Sequence, residues 1–444
     1  MNKTFLIYTV LASSLLFTAS AEWIVENVAY TGATPAISLD SSGLPRIAYG
    51  RPGQGAKYAV YNGTSWSTEL IYEAYYGDCE YFDIVTDESD VSHVSFAWSG
   101  WIISAVQDPV LDSWNYIMPT AAYGEWNSLG LSSENNPGIS FYSYDHKLKY
   151  LYNNGSQWLI ELVDAGDDAG NYNSILREGV NKVYVAYSMS LPTPGLKYAS
   201  RDESGVWNTS FVDTSMIAEP LGISLVHNGN GYPCISYTAP GELRYAEWDG
   251  SSWNIETVDA LDTGANEFDT SLALTGCGHP RIAHCNLNGD SLSYTWNDGT
   301  GWQTEGIYPV ESGGGDLDLV LDSQGRPHIA FHLGSLPSLM YAFNDEVAGV
   351  EHNEERTGPV SFNPVANPFY GSLNLSFNLH EPCHVELTVY DLQGREVSRL
   401  LSEHRSQGNN QLSWVPDSSV PCGEYIIMLN AAGNAVAQKV IFLR

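Results

Sequence analysis

The densest set of residues with chemical potential lies between positions 73 and 146. Tyr75, Tyr76, Tyr81, Trp98, Trp101, Tyr123, Trp126 and Tyr144 occur there, interleaved with Glu73, Asp78, Glu80, Glu125, Asp145 and His146. Large rings with polar tips make flat apolar platforms. With carboxylates beside them they suit a sugar or a peptide. Paired acids are also what cleavage of a glycosidic bond requires. Tyr75, Tyr76, Trp98, Trp101, Trp126 and Tyr144 form the expected ligand-binding set.

Other motifs lead away from chemistry. His380-Glu381-Pro382-Cys383-His384 matches H-E-x-x-H, which binds zinc when a helix puts both histidines on one face. Pro382 and the alternating flanks make it a hairpin turn instead. Cys277, His279, His284 and Cys285 have the composition of a metal site, but a strand between the pairs holds them apart. His284 takes the repeat position of Tyr49, Phe96, Phe141, Tyr187, Tyr237 and Phe331, which implies packing. Asp202 to Trp207 resembles the Asp-box of sialidases with the wrong spacing. There is no G-x-S-x-G elbow and no glycine-rich phosphate loop. No catalytic residue, metal or cofactor is therefore assigned. The acidic chain would tolerate bound calcium, but no motif marks its ligands.

The elements that must position the aromatic set are legible from seven tryptophans: Trp23, Trp66, Trp114, Trp158, Trp207, Trp253 and Trp302. Their near-even spacing of 43 to 49 residues marks a repeat. Each unit holds four short alternating runs, which read as half-buried strands. Asn62-Gly63, Asn154-Gly155, Asp249-Gly250 and Asp298-Gly299 separate the third and fourth runs; such pairs tolerate the positive φ of tight hairpins. Four antiparallel strands per unit predict β-propeller blades. The last unit, about 316–345, lacks a tryptophan strand, and the first tryptophan strand, 22–28, lacks three companions. Pairing them predicts a closed seven-bladed ring over 22–345, with no exposed sheet edges. In such a ring the aromatic-rich loops share one face, and the blade-repeat tryptophans Trp158 and Trp253 are expected to behave as core.

Residues 1–21 read as a signal peptide: Lys3, an apolar stretch from Phe5 to Phe17, and Ala19-Ser20-Ala21. No later segment has the length to span a bilayer as an apolar helix. The formal charge is −33, of which residues 22–346 carry −30, from 42 acidic and 12 basic side chains. That argues against nucleic acid or anionic lipid as a partner. Six cysteines in an exported chain permit disulfides; Cys383 and Cys422, in one small domain, are the expected pair, and Cys234 with Cys277 is a weaker one.

Residues 346–359 read as a polar linker, and 360–444 as a small Ig-like β-sandwich. Asn363-Pro364, Tyr390-Asp391, Gly394-Arg395, Gly423 with Tyr425, and Lys439 are similar to the C-terminal sorting (Por) domain of bacterial type IX secretion substrates. The resemblance implies delivery to the cell surface or the medium, with the secretion machinery as partner. The whole reads as an all-β exported binding or adhesion propeller for an extracellular glycan or protein. The alternative is a glycan-active hydrolase or lyase using carboxylates of the loop face. Activity against polysaccharides separates the two.

Overall fold

A computed structural model describes residues 23–344 and 360–443, apart from 52, 54, 112, 261–268, 287–290, 311–314, 334–338, 365–368, 380–382, 392–394, 418–419 and 432–433. The expected signal peptide and linker, Gly394 and most of the H-E-x-x-H segment lie outside the described residues. All described elements are strands. Among the described residues no helix is long and apolar enough to cross a membrane.

Seven four-stranded antiparallel sheets form a propeller. Blade one runs outward through Ala33–Leu39, Pro45–Arg51, Gly55–Tyr61 and Trp66–Tyr72. The inner strands of blades two to six are Cys79–Thr86, Gly124–Leu131, Ala169–Glu178, Leu221–His227 and Thr270–Leu274. Blade seven joins Leu317–Leu321, Pro327–His332 and Leu339–Asn344 to Trp23–Ala29 from the other end of the ring. Trp23 faces Asn344 and Asn27 faces Met340 in that closing ladder. Asx turns cap the hairpins. Asp40 Oδ1 accepts from the backbone N–H of Ser42 and Leu44, and Asn62 Oδ1 from those of Thr64 and Ser65. Asp202 makes the same turn with Ser204 and Val206, which accounts for its Asp-box-like sequence.

The repeat tryptophans pack on the hydrophobic core clusters without being sealed in them. All seven are half-buried, on the outermost strands. Six pack edge-on against a tyrosine of the preceding blade's third strand: Trp23 on Tyr294, Trp66 on Tyr341, Trp114 on Tyr58, Trp207 on Tyr150, Trp253 on Tyr198 and Trp302 on Tyr245, at 5.0–5.7 Å between centroids. Five also donate Nε1–H to a glutamate there: Glu305, Glu26, Glu69, Glu161 and Glu256 receive Trp23, Trp66, Trp114, Trp207 and Trp302 at 2.7–3.0 Å. The tryptophan is thus an inter-blade latch.

A second belt runs round the axis. Ser128, Ser174, Ser224 and Ser271 each accept, on Oγ, the N–H of an inner-strand residue in the next blade: Ile175, Leu225, Leu272 and Leu319. Asp318 accepts from Ile37 and Asp83 from Leu129 at the equivalent positions, at 2.9 and 2.7 Å. Burial pushes the Asp83 carboxyl up to about 7 and the Asp318 carboxyl up to about 6.

The C-terminal strands form a separate two-sheet unit. Val360–Pro364, Leu373–Leu379 and Gly408–Trp414 make one sheet. Phe369–Tyr370, Cys383–Asp391, Glu396–Arg405, Gly423–Ala431 and Asn434–Leu443 make the other. Phe369, Phe377, Trp414, Tyr425 and Phe442 are buried between them. The expected Cys383–Cys422 bridge is not there, and both cysteines are free. Asp391 faces Tyr425, so Cys422 lies beyond one end of a nine-residue strand that begins with Cys383. At 3.3 Å per residue that is roughly 30 Å, far outside disulfide reach. Cys234 is likewise free, buried near the Tyr232 carbonyl, and Cys277 points to the C-terminal unit instead.

Candidate functional site

The inner strands of blades one to five each carry a register shift near the loop face. In blades two and three the shift forces aromatic residues into the left-handed region, Tyr81 at φ 56° and Trp126 at φ 45°. Bulky side chains rarely adopt that conformation, and such strain collects at functional sites. Tyr172 lies in the shifted segment of blade four. These three rings meet across the blade seams: Trp126 is 5.0 Å from Tyr81 and 5.6 Å from Tyr172. All three are half-buried, so each keeps an open surface.

Polar groups border this cluster. Tyr142, whose ring stands edge-on to Trp126 at 6.1 Å, donates its hydroxyl to Asp168 at 3.0 Å and lies 2.5 Å from His146 Nδ1. His146 Nδ1 is itself 2.7 Å from Asp168. Burial and the bond to Asp168 push the Tyr142 hydroxyl up to about 12, so it stays protonated. Glu125, next to Trp126, accepts from the exposed Tyr144 hydroxyl at 3.1 Å. Partial burial, together with Asp78, Glu125 and Asp316, raises the Glu80 carboxyl above its ordinary value. The mouth of the ring is therefore aromatic with an acidic rim. Among the described residues no group of three His, Cys, Asp or Glu is arranged to hold a metal ion.

The six sequence-selected rings do not form one platform. Trp126 is in the axial cluster. Tyr76 and Trp98 pack together at 5.2 Å, with Trp98 Nε1 donating to the Tyr76 carbonyl at 2.8 Å, farther out on blade two. Trp101 lies against Tyr123 with the rings tilted by 44° and their centroids 3.7 Å apart. Tyr144 lies over Gly100, where a Cβ would meet its hydroxyl at 2.3 Å. Tyr75 is 84% exposed and bonds only its neighbour Glu73. Sequence reasoning named Tyr81 in the wider aromatic set but left it out of the ligand-binding six, and it did not name Tyr142, Tyr172 or Asp168. The available signal was an aromatic residue two positions before Asp83, Ser128 and Ser174 in three consecutive repeats. Elsewhere, His284 is fully buried, bonded to Thr295 at 2.9 Å, and desolvation lowers it to about 4. A wide depression of about 490 Å³ at the opposite face, lined by Lys182, Tyr184 and Arg201, lacks such a constellation.

In the C-terminal unit the motif residues build turns and edges. Asp391 accepts the Arg395 N–H at 2.9 Å and its guanidinium at 2.6 Å, closing the hairpin between Cys383–Asp391 and Glu396–Arg405. Tyr390 precedes that turn. Asn363 and Pro364 end the first strand, paired with Ser376 and Leu375. Gly423 opens the strand in which Tyr425 is buried, its hydroxyl on the Pro421 carbonyl. Lys439 pairs with Glu424 at 2.6 Å. Residues 366–443 match the family described as the secretion system C-terminal sorting domain. The chain carries this sorting domain at its C-terminus. The domain marks it for export to the cell surface or the medium.

No curated protein matches the chain by sequence. Among solved structures, an ulvan lyase of polysaccharide lyase family PL25 is similar, with a TM-score of 0.53, 12% identity, and coverage of 74% of this chain and 96% of that one. So is the β-propeller domain of Cps50 (Swd1) from Myceliophteria thermophila, with a TM-score of 0.50, 9% identity, and coverage of 72% and 99%. Such likenesses establish the propeller fold. Two neighbours with unrelated descriptions show that the fold selects no activity.

Proposed function

We propose that this exported propeller binds an extracellular glycan over the axial mouth formed by Tyr81, Trp126 and Tyr172. The carrying observation is the pair of strained aromatic residues, Tyr81 and Trp126, held in contact across a blade seam. A sugar ring stacks its C–H face on such a surface, and Glu125 and Asp168 would accept its hydroxyls. The acidic rim and the −30 charge of residues 22–346 disfavour a polyanionic polysaccharide. They favour a neutral or amino-sugar glycan. Titration of the mature chain against a glycan array tests this. Binding is expected, and Trp126→Ala should weaken it at least tenfold while the thermal midpoint holds. Binding confined to protein ligands would replace the glycan with a protein partner.

A second reading rests on Tyr142, His146 and Asp168. A hydroxyl kept protonated beside an imidazole–carboxylate pair is a set suited to proton transfer, as a glycan lyase or hydrolase needs. Chain cleavage that disappears in Tyr142→Phe would favour it. Binding without cleavage across a polysaccharide panel would leave the lectin-like reading standing. The ulvan lyase likeness concerns fold and carries neither reading.

A further inference from the structure

All six cysteines are free thiols. Cys79, Cys234 and Cys285 are buried in the propeller, and Cys383 lies far from Cys422 on the sandwich. Cys277 and Cys422 differ. Cys277 sits in the turn Thr275–His279 of blade six, closed by Thr275 N–H to the His279 carbonyl at 3.0 Å and Gly278 N–H to the Thr275 carbonyl at 2.7 Å. That turn docks on the C-terminal unit. The Cys277 thiol donates to the Phe442 carbonyl at 3.5 Å, and the Cys422 thiol donates to the Cys277 carbonyl at 3.6 Å. The ladder explains the coincidence: Phe442 pairs with Gly423, the neighbour of Cys422. Cys422 is close enough to the Cys277 thiol to help raise it above its ordinary value. Gly276 permits the approach, since a Cβ there would stand 2.9 Å from the Leu443 side chain.

We infer that Cys277 and Cys422 join in a disulfide that clasps the propeller to its sorting domain once the chain reaches an oxidising compartment. The oxidant is a second disulfide, borne by a small thiol compound or a dithiol oxidoreductase. The Cys422 thiolate attacks one sulfur of that disulfide, and the other leaves as a thiolate. The deprotonated Cys277 then attacks Cys422 Sγ and expels the second thiolate. Two thiol protons pass to the two released sulfurs, the oxidant gains two electrons, and the protein loses them. Both cysteines are half-buried rather than sealed, so a small disulfide can reach the pair. Burial pushes the Cys277 thiol up to about 12, which makes Cys277 a slow attacking thiol. The clasp would hold the two domains together even where the chain between them is cut.

The test uses the full mature chain with a protease site inserted between residues 350 and 351. It is purified, oxidised with glutathione disulfide, cut, and run on gels with and without reductant. The cut wild type is expected to run as one species without reductant and two with it. Cys277→Ser and Cys422→Ser should run as two under both conditions, and Cys383→Ser should behave as wild type. Peptide mapping without reduction should recover one linked peptide containing both residues, two hydrogens lighter than the sum of its parts. Full alkylation of both thiols after oxidation would overturn the inference. So would a linked peptide joining Cys422 to Cys383. Circular dichroism of each Ser variant identifies any that fails to fold, and Cys422→Ala then repeats the test with a smaller change.

Discussion

The two acids in the axial belt make the stability of the ring depend on pH in a predictable direction. Asp83 is half-buried, with its carboxyl desolvated in the seam between blades, and its folded pKa rises from 3.8 to about 7. A carboxyl raised on folding contributes stability that is fully present below its unfolded pKa and is lost as pH climbs through the folded one. Three units at 1.36 kcal/mol each put the cost of ionised Asp83 at about 4 kcal/mol near pH 8, and at under ~2 kcal/mol near pH 5. Asp83→Asn removes the charge. Its amide also presents a donor to one of the Ile84 and Leu129 N–H groups that the carboxylate accepts, a penalty that does not vary with pH. The readout is therefore a difference of differences. Urea unfolding of both proteins at the two pH values should show the variant gaining about 2–3 kcal/mol relative to wild type between pH 5 and pH 8. All other titrating groups are common to both proteins and cancel. An effect of equal size at both pH values would refute the reasoning, because it would mean Asp83 does not change charge over that interval. Asp318→Asn should show the same sign with a smaller amplitude, since its folded value is about 6.

Three other outcomes follow from the geometry. Trp66→Phe, which loses the bond to Glu26, should cost about 1–1.5 kcal/mol, whereas Trp158→Phe should cost less, because position 117 of the preceding blade is Ile and offers no acceptor; chemical denaturation compares them. Trp126→Ala should abolish most glycan binding, while Tyr75→Ala, at a highly exposed ring outside the Tyr81, Trp126 and Tyr172 contacts, should leave it within twofold in the same titration. Deleting residues 360–444 should keep the propeller from the cell surface in its native host, and surface labelling of intact cells would detect a truncated chain that still arrives.

The ring was legible because each blade repeats the same local instructions. Asn62-Gly63 and its counterparts impose a hairpin whatever surrounds them, and alternation sets which face is buried. The inter-blade latch was half legible. The tryptophans announced the period, but their spacing to Glu26, Glu69, Glu161, Glu256 and Glu305, always three residues after a repeat tryptophan, becomes a bond only when the next blade's tryptophan is placed beside it. The tryptophans do pack on the hydrophobic core, but that core spans two blades, and alternation within one strand cannot report a seam between two sheets. The axial mouth was less legible still. Tyr81, Trp98 and Trp101 were all read as loop aromatics, yet all three lie in strands, and Tyr81 and Tyr172 reach Trp126 only through register shifts. A bulge is a mismatch between two strands, and neither strand alone encodes it. The cysteines follow the same logic across a larger distance. Cys383 and Cys422 were paired because they share a domain, yet the sheet separates them along its length. Cys277, 145 residues from Cys422 in the chain, meets it because two independently legible domains dock. What local sequence dictates is each surface; what chemistry the surfaces do depends on which of them meet.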